Sequence, residues 1–324
     1  MKHLHHLFIA LMTAATLTAC GGDDSTPTTP PTADNNGSDN NTAIVSTQNP
    51  YVVNQGEPQQ SNNTNKNSTG VKELDNRIEV PRVVGGKDHY VLIRTVATYG
   101  VNYIVEWDNQ KRSQRWTAYQ WYSGNSGQNW KRNNWNSTEW GGDPFQPDPD
   151  LPSSVRTELS DYRGSGYTRG HIIASQDRVN SKDANEQTFY LSNMQPQLWS
   201  FNGSPGVWGE MEIFIRNNWN TNSLRDYLYV VKGGTIRDDQ IKERVGRLVV
   251  PQYFFMAAVS LKNDTYRGIA FWADHDKPNT TVHSCITTID RLEELTGIDF
   301  FCNLPDDVEN TVESTVDYAY WKLN

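Results

Sequence analysis

Apolar residues in the middle of this chain come in short runs separated by polar and turn-forming residues. Tyr90 to Arg94, Asn102 to Trp107 and Trp116 to Trp121 are rich in β-branched and aromatic residues, and each has the length of one strand of a meander. Tyr227 to Val231, Tyr253 to Val259 and Ile269 to Trp272 repeat the pattern later. Between the two sets the period changes. Val207, Met211 and Phe214 share one helical face behind Ser204-Pro205, which offers an N-cap and a first-turn proline. Thr287 to Thr296 predicts a second helix, stopped by Gly297. Strands on both sides of a central helix predict an α+β protein, with a mainly antiparallel central sheet and flanking helices, over residues 74–324. That stretch of roughly 250 residues is within reach of one core.

The start of the chain is patterned differently. Lys2, His3, His5 and His6 flank the entry to an apolar run, Leu7 to Met12, that is too short to span a bilayer. Small residues then lead to Leu17-Thr18-Ala19-Cys20, so residues 1–19 read as a secretory signal. Leu-Thr-Ala-Cys resembles the bacterial lipoprotein box. The resemblance implies lipidation of Cys20, a membrane partner through that anchor, and a place on the periplasmic or cell-surface face of the outer membrane. A plain signal peptide with an incidental Cys is the alternative. Residues 20–73 are mostly Thr, Pro, Asn, Asp, Ser and Gln. Such a segment buries too little apolar surface to offset its ordering entropy, so a disordered tether is expected.

Charge and cysteine change the picture in two ways. The net charge of −9 excludes tight non-specific storage of nucleic acid, which Lys and Arg drive. Much of the acid is at the ends, in Asp23, Asp24, Asp34, Asp39 and Glu57, then in Asp306, Asp307, Glu309, Glu313 and Asp317. A hydrolase needs only a local basic cleft, so DNA and RNA stay open as substrates. With Cys20 given to lipid, Cys285 and Cys302 are an even pair in an oxidising compartment, and a disulfide is expected; two buried thiols are the alternative. Trp116, Trp121, Trp130, Trp135 and Trp140 crowd into one region, as base-stacking or as packing residues.

The chemistry is concentrated between Gly166 and Glu212. Gly166-Tyr167-Thr168-Arg169-Gly170-His171 is followed by Thr188 to Gln197, then Phe201-Asn202 and Trp208 to Glu212. A neutral imidazole can take a proton from water, and an amide or carboxylate can hold a hard cation against developing phosphate charge. These segments together resemble the DNA/RNA non-specific endonuclease family, with its ββα-metal fold, over roughly Arg82 to Asp307. The resemblance implies His171 as general base and Asn202 as direct ligand of Mg²⁺, with Mn²⁺ or another divalent ion in its place as the alternative. It implies Glu212 acting on that cation through water, and Arg169 stabilising phosphate charge. Asn193 matches a family residue that either holds the loop or contacts substrate. Arg132 fits a phosphate-binding Arg or an exposed surface one. Products ending in 5′-phosphate and little preference between DNA and RNA are also implied.

One position departs from the family pattern, where Thr168 replaces the usual Asp of Asp-Arg-Gly-His. Thr can still hydrogen-bond, so the change bears on efficiency rather than identity. A non-catalytic surface lipoprotein that binds nucleic acid or glycan through its aromatics is the rival reading. No Gly-x-Ser-x-Gly elbow supports a serine hydrolase.

Overall fold

The computed structural model describes residues 52–58, 60–135 and 144–323. The signal segment, Cys20 and Trp140 lie outside them. Its centre is a seven-stranded sheet in which every neighbouring pair is antiparallel. Strands β1 (His89–Val96), β2 (Gly100–Asp108) and β3 (Ser113–Tyr122) form the expected meander. The chain then leaves the sheet. On the excursion it makes β4 (Thr168–His171) and β5 (Met194–Gln197), which pair only with each other, and helix α1 (Val207–Phe214). It returns as β6 (Tyr227–Gly234), directly beside β3. After a small hairpin of β7 (Ile241–Val245) and β8 (Leu248–Pro251), β9 (Tyr253–Lys262), β10 (Thr265–Asp274) and β11 (Ile286–Thr287) complete the sheet. Helices α2 (Ile289–Thr296) and α3 (Asp306–Ser314) follow. All six strands read from the apolar runs are present, and β4, β5 and α1 supply the ββα unit.

The sheet is buried on both faces, which explains why its strands read as nearly continuous apolar runs. On β9, Phe254, Met256 and Ala258 point into one core, with Trp208 and Met211 of α1 and with Trp219. Phe255, Ala257 and Val259 point into the other, with Ile289 and Leu292 of α2 and Val312 of α3. Period-two alternation thus sends α1 and α2 to opposite faces. Trp116 and Trp121 are packing residues, one in each core, and do not reach solvent.

Three expectations are corrected. Helix α1 starts at Val207 with Gly206 as N-cap, so Ser204 and Pro205 precede it, and the Ser204 hydroxyl instead donates to Glu210 at 2.7 Å. The Cys285–Cys302 disulfide is not formed: both thiols are free and buried. Cys285 belongs to the core under α1, whereas Cys302 accepts from Asn67 Nδ2 beside Phe301 and Leu304 of the opposite core, so the sheet separates them. The described residues of 52–73, assigned to the tether, pack on the domain. Asn63 and Asn67 are buried, with Asn63 Nδ2 donating to Cys302 O at 2.9 Å and Asn67 Nδ2 to Pro81 O at 3.1 Å. Composition misjudged this segment because its amides gain order from backbone groups rather than from apolar burial.

Candidate active site

Strand β4 carries Thr168, Arg169 and His171 in register with β5, His171 facing Met194. Gly170 between them lets the Gln197 side chain lie close, since a Cβ there would come 2.2 Å from Gln197 Cδ and displace it. Asn193 fixes the exit of the strand. Its Oδ1 accepts from Ile173 N at 3.0 Å, and its Nδ2 donates to Ile173 O at 3.0 Å and Thr188 O at 2.8 Å. Fully buried and spent on backbone groups, Asn193 positions the loop after His171 and does not reach a substrate, which corrects its place among the catalytic candidates.

The His171 imidazole sits against two phenyl rings, with centroids 5.4 Å from Phe145 and 5.1 Å from Phe189. Each phenyl carries a guanidinium: Arg169 lies 4.1 Å from the Phe145 centroid and Arg132 4.8 Å from that of Phe189. Burial, and then the charges of Arg132 and Arg169, hold the imidazole well below its usual pKa of 6.5. Its Nε2 is buried without a hydrogen-bond partner. The arrangement is a neutral imidazole between two cations, suited to a site that receives an anion. Arg132, the looser of the two sequence candidates, therefore belongs to the site.

Asn202 ends a single helical turn, Trp199–Asn202. Its Nδ2 donates to Thr168 Oγ1 at 3.3 Å, and the Thr168 hydroxyl in turn donates to Gln197 O at 2.9 Å. Thr168 thus holds the amino end of the Asn202 amide and leaves the carbonyl end for a cation. A carboxylate at position 168 could accept from Asn202 but could not donate to Gln197 O, so Thr suits this pair of contacts. Helix α1 packs tightly behind Asn202, since a Cβ on Gly209 would come within 2.9 Å of Asn202 O. Trp208, one turn before Glu212, donates Nε1–H to His171 O at 3.1 Å and ties α1 to β4. Glu212 points back to the sheet, 4.0 Å from Lys232 Nζ, with Oε1 buried and without a hydrogen-bond partner. Burial pushes its carboxyl up to about 7, against the opposing pull of Lys232.

With this geometry in hand, the likeness to known proteins is specific. The pattern of the DNA/RNA non-specific endonuclease family matches residues 92–307. A nuclease of Nostoc sp. (strain PCC 7120) is 30% identical over 243 residues, covering 71% of this chain and 80% of that protein. The chain belongs to the DNA/RNA non-specific endonuclease family. A mitochondrial nuclease EXOG of Xenopus laevis is 30% identical over 183 residues, spanning about half of each chain. The crystal structure of an EndoG/EndoGI complex contains a chain of the same fold, with TM-score 0.54 and 21% identity, covering 67% of this chain and 88% of that one.

Several residues of this endonuclease's site were not read from sequence. Asp177 is fully buried and accepts from Arg216 Nε at 2.8 Å, Tyr119 OH at 3.0 Å and Lys232 Nζ at 3.3 Å. Burial alone would raise its carboxyl, but the Lys232 and Arg216 charges outweigh it and hold it below the usual range. Lys232 lies in the middle of β6 with no exposure, and a lone Lys in an apolar strand was the available signal. Arg216 stands four residues after Glu212, one helical turn, which was a second signal. Trp199, 49% exposed and three residues before Asn202, offers an aromatic face beside the site.

His275, set aside in sequence as a structural or surface residue, holds the Asn202 turn from below. Its Nε2 accepts from Leu198 N at 2.8 Å and its Nδ1 faces Pro251 O at 2.9 Å, so the proton is on Nδ1. Burial lowers its pKa from 6.5 to about 4, since a second proton would oppose the Leu198 N–H. A depressed folded-state pKa gives stability that is present above pH 6.5 and lost as pH falls toward 4, about 3 kcal/mol in all. Urea unfolding of wild type and His275→Gln between pH 7 and pH 4 should show this slope in wild type only. Equal slopes in the two proteins would remove His275 as the cause.

Proposed function

We propose that this endonuclease hydrolyses phosphodiester bonds of DNA and RNA with little regard for sequence or sugar, leaving 5′-phosphates. His171 is the general base and Asn202 holds Mg²⁺. The observation that carries the reading is the unpartnered, buried Nε2 of a neutral His171 between Arg169 and Arg132. Two features fit a cation: the Asn202 amide, whose amino end is held by Thr168, and the buried Glu212 Oε1, an acceptor without a hydrogen-bond partner that can take a water. Few protein ligands and oxygen donors suit Mg²⁺, which keeps most of its water. When bound, the ion supplies positive charge against the phosphate and the departing oxygen.

The chain's own residues do the rest. Arg169 and Arg132, steadied on their phenyl rings, bind and orient the phosphate. The His171 imidazole takes the proton of the attacking water, and the ring stays neutral beforehand because burial and the two guanidiniums oppose a second proton. Contacts with backbone phosphate rather than base edges leave sequence and sugar unread. Supercoiled plasmid and single-stranded RNA should both be cut in Mg²⁺ and neither in EDTA. Cutting undiminished by EDTA would overturn the cation's part, and no cutting with any divalent ion would favour the binding-protein reading.

We further infer that the protein is a lipoprotein anchored through Cys20, with its nuclease domain outside the cytoplasm. The support is Leu17-Thr18-Ala19-Cys20 behind the apolar run. Among the described residues no helix is long and apolar enough to cross a membrane. In a bacterial host the full chain should sediment with membranes, and Cys20→Ser should move it to the soluble fraction. Unchanged sedimentation of the variant would rule the anchor out.

A further inference from the structure

On the face of the sheet opposite α1, helices α2 and α3 bring carboxylates together with little positive charge to balance them. One ligand oxygen each from Asp290, Glu293 and Glu313 lies within 4.8 Å of the others. Glu313 is only 5% exposed, and its Oε1 is buried with no hydrogen-bond partner. Asn65, from the segment laid over these helices, adds another orphan: its Nδ2 donates to Glu309 Oε1 at 2.9 Å and to Asp299 at 3.2 Å, while its Oδ1 is buried and unpartnered. Glu293 uses Oε1 to accept from Phe300 N at 2.7 Å, which leaves its second oxygen to the cluster. The groups line an open cleft of about 390 Å³.

Basic side chains nearby are committed elsewhere. Arg291 pairs with Glu294, and Arg82 donates to the carbonyls of Asn65 and Lys66. Buried acceptors that lack donors, surrounded by like charge, are satisfied by protons or by a metal ion.

We propose that Asp290, Glu293 and Glu313 form a second cation site, separate from the active site, that binds Ca²⁺ and ties α2 to α3. With Glu293 Oε1 spent on Phe300 N, the three carboxylates offer up to five oxygens on two helices, and water can complete the shell. Ca²⁺ accepts six to eight oxygens in flexible geometry, whereas Mg²⁺ demands a near-ideal octahedron and retains its water. One face of the cluster is open, with Asp290 at its exposed rim, so ions can enter.

The test is thermal unfolding of the EDTA-treated full chain with added Ca²⁺, in wild type, Asn202→Ala, Glu313→Gln and the double variant Asp290→Asn/Glu293→Gln. At the millimolar affinity common to extracellular sites, 10 mM Ca²⁺ should raise the midpoint by roughly 3–10 °C in wild type. Asn202→Ala should keep that shift, because its defect is confined to the active site. Glu313→Gln and the double variant should lose it, yet melt in EDTA about where wild type does, since each replaces a carboxyl by an amide of the same shape. Plasmid cleavage in Mg²⁺ should persist in both. If Glu313→Gln does not fold, the double variant, altered nearer the surface, decides. No Ca²⁺ shift in Asn202→Ala, or a shift that survives in the double variant, overturns the site. Loss of cleavage in wild type would instead count against the nuclease mechanism and leave the Ca²⁺ shift as it is.

Discussion

His171→Ala should slow plasmid nicking by about 10²–10⁴-fold, the range associated with removing a general base, while the protein stays folded. The effect is large because no other described group can take over. His275 faces two backbone partners behind the Asn202 turn, and Glu212 stands against Lys232 and Arg216 rather than between the guanidiniums. The cost in stability should be small. The ring packs tilted on Phe145 and edge-on to Phe189, but it also buries an Nε2 that no group satisfies, so truncation removes a penalty along with the packing. Initial nicking rates in Mg²⁺, with thermal unfolding of the same samples, check both halves. More than a tenth of wild-type activity in a folded His171→Ala protein would exclude His171 as the base. Arg169 and Arg132 remain in that variant, so it should still bind DNA, and a gel-shift in EDTA separates lost chemistry from lost binding.

How much of this was legible beforehand depends on the range of the interaction concerned. Sheet strands buried on both faces announce themselves locally, and all six apolar runs became strands. The Gly297 stop is equally local, a left-handed residue at φ 67° closing α2. His171, Asn202 and Glu212 stood out as candidates because short motifs carry them, and the fold brings those motifs together through one hairpin and one helix. What escaped depends on pairing across the sheet. No spacing rule places Lys232 of β6 against Asp177, and the two meet only because the excursion between β3 and β6 folds back over its own base. The disulfide expectation failed for the same reason: parity of cysteines says nothing of which face of the sheet each occupies. Asn193 could not be divided between scaffold and substrate contact until its three polar bonds to the backbone were seen.

The buried charges at the base of the site lead to the second large effect. Lys232→Met keeps the length of the side chain and removes its charge, so packing in β6 should survive. Asp177 still has Arg216 and Tyr119, but Glu212 loses the cation that most strongly lowers its pKa. Removing one partner of a buried pair typically costs about 3–5 kcal/mol, because the other charge stays desolvated and unpaired. Urea unfolding at pH 8, where Glu212 would otherwise be ionised, should show a loss of this size. The sign with pH follows from the carboxyl. Already pushed up to about 7, it rises further without Lys232, so the ionised form, to which we assign the orienting of the cation's water, is reached only at higher pH. The cleavage profile of Lys232→Met should therefore move to the alkaline side, whereas a purely structural lesion would lower activity evenly at all pH values. Adding Glu212→Gln should recover part of the lost stability without restoring cleavage, since the uncompensated charge is gone but the water's acceptor is gone with it. A stability loss within about 1 kcal/mol in the single variant, with an unmoved pH profile, would mean that Arg216 alone balances both carboxylates and that Lys232 is dispensable.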